Sequence, residues 1–378
     1  MTYAKELAEV LKSAADGLKG QHRRVSVALT ALGSELPAED LVMAAHLVSD
    51  EVNAVVIGPK SVDGLQHVLA EELPDAHCKM NELFKKNEID AAVTLHYPFP
   101  LGVATITCLV CPATGRKMVL ASTTGSSDTV RVAAMIKNAI SGIALAKALG
   151  VEKPTVGILN IDNAPSVERA LNKLANNSYS LTWAGSHRAD GGALMRGNDL
   201  IQATPDVMVC DSLTGNLLVK LWSASQSGGN IETVGCGYGV GLGLEQKNPI
   251  VIISRASGIP VIAEAMRFCG KIVAGNVMQR WQDEWQSANQ AGLAEILKEL
   301  QVAPISNSSS AESIKMPEKT VVSEEIHGID ILEIEDAKST LWQEGIYAET
   351  GMGCTGPVVM VNPATLDQAK IALKRFLA

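Results

Sequence analysis

The chain has 378 residues, of which 47% are apolar, 4% aromatic and 19% charged, with 32 basic against 41 acidic residues and a net charge of −9. These values are typical of a folded globular protein of two or three domains and exclude a disordered chain. A surplus of acid without a run of basic residues argues against a nucleic-acid partner. The apolar stretches are shorter than the about 20 residues that cross a bilayer. The N-terminus is predicted to form an amphipathic helix, and its charged residues interrupt the apolar run that a secretion signal would need. We therefore predict no membrane span and a cytoplasmic location.

Short apolar strands alternate with helical stretches along the first 300 residues. The predicted strands lie at 24–30, 54–58, 90–95, 103–111, 117–121, 155–160, 207–210 and 249–253. A helix is predicted at 39–48, and a long helical region at 258–300 with Gly270 and Gly275 as possible breaks. Such alternation indicates an α/β protein with a mostly parallel sheet covered on both faces.

The composition changes after residue 302. Residues 303–320 contain two prolines and five serines, which is typical of a linker. Beyond it we predict a strand at 329–334, a helix at 335–344, a turn at 350–356, a strand at 357–361 and a last helix capped by Asn362. The predicted organisation is a core over 1–302, a linker over 303–320 and a small α+β appendage over 321–378.

The clearest polar loop is STTGSSD at 122–128, between a predicted strand and a helix. Its hydroxyls, including those of Ser126 and Ser127, and its backbone N–H groups at a helix N-terminus suit a phosphate. The same residue types also cap helices, so a purely structural role stays open.

Two further polar loops follow strands. DSLTGN at 211–216 contains Asp211 and Asn216, and SRASG at 254–258 contains Arg255. The carboxyl ends of parallel strands share one edge of a sheet, where ligands bind in α/β proteins. These loops are therefore predicted to contribute to one phosphate or acyl site.

Two arginines, Arg188 and Arg196, lie in a glycine-rich stretch between the loops at 122–128 and 211–216. Their planar guanidinium groups could clamp a phosphate. Pairing with Asp190 and Asp199 is an equally good interpretation.

The chain has seven cysteines, which is an odd number, and no signal peptide is predicted. Both observations favour reduced thiols over a set of disulfides. Cys108 and Cys111 form a C-x-x-C within a predicted strand, whose alternation points the two thiols to opposite faces and argues against a metal site. Cys354 lies in TGMGCTG at 350–356. Its neighbours Gly353, Thr355 and Gly356 leave the backbone approachable, and nearby amides can favour a nucleophilic thiolate. An incidental buried thiol in a tight turn is the alternative.

Several common motifs are missing from the sequence. The glycines that alternate from 235 to 243 do not have the G-x-G-x-x-G spacing. The sequence also lacks the P-loop, H-E-x-x-H and G-x-S-x-G patterns. We predict neither a metal nor an organic cofactor.

Residues 20–275 resemble the acyl-carrier-protein:phosphate acyltransferases of phospholipid synthesis. The resemblance rests on PTVGILNI at 154–161, PDVMVCDSLTGN at 205–216 and VIISRASG at 251–258. It implies a three-layer α/β/α fold of the isocitrate/isopropylmalate dehydrogenase type, and a reaction that joins an acyl thioester to inorganic phosphate as co-substrate.

The appendage is absent from those enzymes. Together with such a core, TGMGCTGPVVMV at 350–361 resembles the alpha subunits of component C of glycine (sarcosine/betaine) reductase complexes. This resemblance implies that Cys354 holds an acetyl thioester derived from a carboxymethyl group on the selenocysteine of component A, and that phosphate releases it as acetyl phosphate. It also implies a component C beta subunit as partner.

Two alternatives remain at this point. The chain could transfer acyl groups from a carrier protein to phosphate without a covalent intermediate, or serve as a non-catalytic scaffold that binds a ligand. A homo-oligomer is also compatible with the sequence.

Overall fold

A computed structural model describes residues 24–188, 191–302, 316–330, 333–353 and 356–377, together with positions 8 and 11. Apart from positions 8 and 11, the predicted N-terminal helix lies outside this part of the chain, as do residues 303–315 of the predicted linker, Cys354 and Thr355.

The described residues confirm the alternation of strands and helices. The strands are β1 (Ser26–Thr30), β2 (Asn53–Gly58), β3 (Gln66–Leu69), β4 (Ala91–Leu95), β5 (Val103–Val110), β6 (Lys117–Ser126), β7 (Thr155–Leu159), β8 (Thr182–Trp183), β9 (Leu194–Met195), β10 (Val207–Val209), β11 (Gly239–Leu242), β12 (Ile250–Ile253), β13 (Glu324–Ile326), β14 (Ala348–Gly353) and β15 (Gly356–Val361). The helices are α1 (Ala38–Leu47), α2 (Leu73–Lys85), α3 (Arg131–Ala148), α4 (Ala164–Asn176), α5 (Gly197–Gln202), α6 (Ser212–Ala224), α7 (Ile259–Ala274), α8 (Val277–Gln290), α9 (Leu293–Val302), α10 (Ile334–Gln343) and α11 (Leu366–Ala372).

The chain divides into two compact units. The first unit comprises Met1–Pro98, Ser223–Gly237 and Asn248–Asn276. Its strands lie in the order β3-β2-β1-β4-β12, and every neighbouring pair is parallel. All residues of β1 and β4 are buried, as expected for a parallel sheet that is covered on both faces.

The second unit comprises Phe99–Trp222, Tyr238–Lys247 and Val277–Ala378. Its main sheet has the order β11-β5-β6-β10-β7-β8, with β9 also beside β7. β5 is antiparallel to β11 and β6, whereas β10 is parallel to β6 and β7. Helix α3 is buried over most of its 18 residues. The α/β class with a mostly parallel sheet is thus confirmed.

The last part of the second unit is a small antiparallel sheet with the order β13-β15-β14. It shares an apolar core with α10 and the C-terminal residues, including Leu341, Val359 and Leu373. Arg169 on α4 donates hydrogen bonds to Glu333 Oε2 at 2.6 Å and to the Phe376 carbonyl at 2.8 Å. These bonds tie α4 to this C-terminal part.

Two local predictions about this part are wrong. Ile329 and Asp330 lie in a loop and Ile334 begins α10, so the described residues of 329–334 do not form the predicted strand. The predicted turn at 350–356 is mostly a hairpin, in which Gly353 pairs with Gly356 on either side of positions 354 and 355. The Asn362 cap is confirmed, since its side chain accepts the Ala364 N–H at 2.9 Å.

Candidate functional site

A cavity of about 190 Å³ lies in the second unit, at the carboxyl ends of β6 and β10. Most of its lining residues are polar, and they come from the end of β6 and the loop after it, the first half of α3 and the start of α6: Ser122, Gly125, Ser126, Ser127, Asp128, Thr129, Arg131, Ala134, Met135, Asn138, Asp211 and Ser212. Two of the predicted loops, at 122–128 and 211–216, therefore meet at one site. The volume is below the roughly 300–1,000 Å³ of sites for drug-sized ligands, and suits a small anion with a short acyl group.

The first loop is continuous with a strand that is longer than predicted. β6 reaches Ser126, and its pairing with β5 shifts so that Thr105 faces Thr124 while Ile106 faces Ala121. The Thr105 hydroxyl contacts the hydroxyl of Thr124 at 2.8 Å and accepts its N–H at 3.0 Å. Ser122, Gly125 and Ser126, which lie at or beyond this irregularity, line the cavity.

Asp128 closes this loop just before α3. Its Oδ1 accepts the Val130 N–H at 2.9 Å, and its Oδ2 accepts a bond from Lys137 Nζ at 2.6 Å. Burial raises the pKa of Asp128, but the bonds from Lys137 and Val130 outweigh that effect and hold its pKa below the ordinary value. Asp128 is therefore an ionised, fully paired carboxylate.

Arg131 and Asp211 form an ion pair across the cavity wall, with Nη2 and Oδ2 3.1 Å apart. Asp162 approaches the same guanidinium at 3.7 Å. Sequence reasoning missed Arg131. A positive charge in the first turn of a helix is unfavourable because of the helix dipole. The position of Arg131 at the start of α3 was therefore the signal that negative groups lie beside it.

Asp211 has a second role as the cap of α6. Its Oδ1 accepts the N–H groups of Leu213 and Thr214, each at 3.0 Å, and its Oδ2 accepts the Thr214 hydroxyl at 2.6 Å. Burial raises the pKa of Asp211, but the bonds from Thr214 and the charge of Arg131 lower it further than burial raises it. Asp211 therefore organises the wall and holds Arg131 in place.

Helix α6 approaches the end of β6 closely. A Cβ atom at Gly215 would lie 1.8 Å from the Ser122 carbonyl oxygen, so this position requires glycine. The neighbouring Cys210 is fully buried and donates to the same carbonyl at 3.4 Å. Burial and the Asp211 charge raise the pKa of the Cys210 thiol far above its ordinary value, which makes it a poor nucleophile.

Ser126 and Ser127 differ in their exposure. Ser126 is exposed at the cavity, whereas Ser127 is buried and its hydroxyl contacts Asn138 Oδ1 at 2.8 Å. Asn216 lies on α6, half-buried, and is not among the residues that line the described cavity.

The glycine-rich segment with Arg188 and Arg196 belongs to the same unit but does not line the described cavity. It is organised by buried Asp199, which accepts the Arg196 N–H at 2.9 Å and the Ser186 hydroxyl at 2.8 Å. Asp190, the other predicted partner, lies outside the described residues.

Arg255 belongs to the first unit. It is exposed, and its Nε lies 3.1 Å from Nε2 of His96, just after β4. Cys354 and Thr355 lie outside the described residues, and Gly353 and Gly356 are known here only by their backbone pairing.

The other cysteines show no sign of a shared metal or redox site. The six described cysteines are free, with Cys78 exposed, Cys108 half-buried and Cys111 buried. Burial raises the pKa of Cys111 to about 11. Among the described residues, no group of three His, Cys, Asp or Glu side chains is arranged to hold a metal ion. Within the same part of the chain, no helix is long and apolar enough to cross a membrane.

Fold and cavity together define a class: an α/β protein with a small polar site where two parallel strands end. The family model described as "Fatty acid synthesis protein" matches residues 25–360. The glycine/sarcosine/betaine reductase complex component C subunit alpha of Peptoclostridium acidaminophilum is 47% identical over 93% of this chain and 92% of its own. The chain therefore belongs to the fatty acid synthesis protein family and, within it, to the group of component C alpha subunits.

More distant relatives match the core. A phosphate acyltransferase of Thermotoga petrophila is 26% identical over 52% of this chain and 67% of its own. Among solved structures, a branched-chain phosphotransacylase from Enterococcus faecalis aligns with 66% of this chain and 99% of its own, with a TM-score of 0.45 and 16% identity.

Proposed function

We propose that this chain transfers an acyl group from a thioester to inorganic phosphate, and that Cys354 carries the acyl group as an acetyl thioester. The observation that carries the proposal is the polar, anion-sized cavity at the ends of β6 and β10. The names of the relatives, a phosphate acyltransferase and a component C alpha subunit, agree with it. We include in the proposal the three-layer arrangement of the isocitrate/isopropylmalate dehydrogenase type.

The cavity offers donors for a phosphate. Arg131 has a planar guanidinium with five N–H groups, so it can keep its bond to Asp211 and still donate to an incoming anion. The exposed Ser126 hydroxyl adds a neutral donor. The lining carboxylates, Asp128 and Asp211, are each paired with a cation, which limits their repulsion of the anion.

The proposed reaction is phosphorolysis. An oxygen of HPO₄²⁻ attacks the thioester carbonyl carbon, and the bond from carbon to the Cys354 sulfur breaks. The phosphate proton passes to the departing sulfur, so the products are acetyl phosphate and the free thiol. Donors near the carbonyl oxygen stabilise the charge that develops there, and we propose backbone N–H groups around Gly353 and Gly356 for this role.

Of the other predicted residues, Arg188, Arg196, Asn216 and Arg255 stay in the proposal as further ligands of phosphate or of the acyl group. The proposed partners are a component C beta subunit and a selenoprotein component A with a carboxymethyl-selenocysteine. Phosphate is the co-substrate, without a further cofactor, and we propose that the reaction takes place in the cytoplasm.

Arsenolysis of acetyl phosphate tests the covalent step. In this reverse assay we expect the chain to release acetate, to gain the mass of one acetyl group at Cys354, and to lose activity in Cys354→Ala. Cys78→Ala is the matched control, because Cys78 is an exposed thiol outside the cavity. Full activity of Cys354→Ala would replace the covalent route by direct transfer from a carrier protein. Phosphate binding by the wild type without turnover would instead favour a scaffold subunit.

A further inference from the structure

Asn138 is a polar side chain in the buried middle of α3. It is 3% exposed, and its helical neighbours are mostly apolar. Asparagine is unfavourable inside helices, and a buried amide is costly unless its hydrogen bonds are made. At this position the side-chain amide therefore needs hydrogen-bond partners for both its oxygen and its nitrogen.

Those partners are the two ends of the loop that lines the cavity. Asn138 Nδ2 donates to the Ser122 hydroxyl at 3.1 Å, and Oδ1 accepts the Ser127 hydroxyl at 2.8 Å. One rigid amide thus spans the loop from its first to its last serine. Ser126, which is exposed at the cavity, lies between these two attachment points.

We propose that Asn138 is the positioning residue of the anion site. Its amide holds residues 122–127 in one conformation, so that the loop donors face the cavity before the anion arrives. The amide is also neutral, which matters because the cations of the site are already used. Asp128 is paired with Lys137 and Asp211 with Arg131, so a charge at position 138 would add to the repulsion of an anion. The identification of the anion as phosphate rests on the proposed function.

Asn138→Asp tests the neutrality of this position, because it has the same shape and both serine hydroxyls can rotate to donate to it, so that the loop keeps its attachment. The new carboxylate adds a negative charge at the cavity, and burial raises its pKa. We expect phosphate affinity, measured by equilibrium dialysis with labelled phosphate, to fall about tenfold or more at pH 8. The affinity ratio of variant to wild type should recover as the pH is lowered to about 5.5, when the new carboxyl is protonated. The other ionisable groups of the site, namely Asp128, Lys137, Arg131 and Asp211, are common to both proteins and cancel in this ratio.

Asn138→Ala removes both bonds without adding a charge. We expect a loss of phosphate affinity of about fivefold that does not change with pH, since a net hydrogen bond contributes a factor of this size. In arsenolysis the KM for arsenate should rise more than kcat falls. Ser141→Ala is the matched control: Ser141 is buried on the same helix and bonds Trp281 Nε1 at 2.9 Å, away from the loop. It should keep wild-type phosphate affinity.

Wild-type phosphate affinity in Asn138→Ala would overturn the positioning role, as would an equal loss of affinity in Ser141→Ala. A pH-independent, wild-type affinity in Asn138→Asp would overturn the role of the neutral side chain. Phosphate binding that follows the expected pattern, in a wild type without arsenolysis, would support the inference and overturn the proposed reaction. A wild type that binds no phosphate would overturn both.

Discussion

Two arginine–carboxylate pairs lie at opposite ends of the same two parallel strands, β6 and β10. Arg116 and Asp206 pair at the amino ends, and Arg131 and Asp211 at the carboxyl ends. Their exposures are almost equal, with 48% and 17% for the first pair and 44% and 16% for the second. The chemistry of the pair therefore does not distinguish a structural ion pair from a candidate site.

The surroundings make the difference. Asp206 also accepts the backbone N–H and the hydroxyl of Thr155, at 2.8 and 2.7 Å, and Arg116 donates to the Ala203 carbonyl at 2.8 Å. These bonds join neighbouring parts of the sheet. The Arg131 pair, in contrast, borders a cavity at the start of two helices. Parallel strands direct the N-termini of the following helices to their carboxyl ends, which is why anions bind at that edge.

The largest expected effect is on activity. Arg131→Gln should lower kcat/KM for arsenolysis of acetyl phosphate by about 100-fold, because it removes a charged donor from the anion site. Arg116→Gln, which changes the matched pair at the other end of the strands, should leave kcat/KM near the wild-type value. Equal losses in both variants would mean that the two pairs play the same structural role.

The second effect concerns stability, and here the pair at the amino ends of the strands should matter more than the pair at the carboxyl ends. Asp206→Ala should lower the free energy of unfolding by about 3 kcal/mol, because it leaves the part-buried N–H and hydroxyl of Thr155 and the Arg116 guanidinium without this acceptor. Asp211→Ala should cost about 1.5 kcal/mol, as expected for the loss of a helix cap. Urea unfolding measures both. A larger loss in Asp211→Ala would contradict this comparison.

The smallest effect is the pH dependence of the second pair. The pKa of Asp211 is lowered in the folded chain, so its ionised form adds stability above its unfolded pKa of about 3.9. That stability is lost as the pH falls through the lower, folded pKa. The difference in unfolding free energy between the wild type and Asp211→Asn should therefore be constant above about pH 5 and shrink towards pH 3. Urea unfolding at pH 7, 5 and 3 checks this, and a difference that stays constant down to pH 3 would speak against the pairing.

The strand and helix pattern was largely predictable, and the errors have local causes. The helical region after 258 breaks at Gly275, as predicted, and again at 291–292, but not at Gly270. A Cβ atom at Gly270 would lie 3.1 Å from Val52 Cγ1, so the helix packs closely against Val52 at this position and the glycine does not mark a turn. The helix α2 and several strands, β3 among them, were not predicted. β3 has no buried residue, so it lacks the apolar run that marked the predicted strands.

The candidate site was predictable in its location but not in its contacts. The loops 122–128 and 211–216 each follow a strand, and the two strands are parallel, as predicted. The sequence therefore predicted that both loops lie at the carboxyl edge of the sheet. Arg131 and Asp211 are 80 residues apart, and Asn138 resembles an ordinary helix residue until the loop is folded against it.

The sequence by itself determined the α/β class and the edge of the sheet at which polar loops gather. Apolar runs and turn residues act over a few neighbouring positions, and they can be recognised without a partner. Only the tertiary structure decided that Arg131 pairs with Asp211, that Gly215 lets α6 approach Ser122, and that Asn138 joins both ends of the loop. These contacts depend on strand register and helix packing, which are set by the whole unit and not by any local pattern.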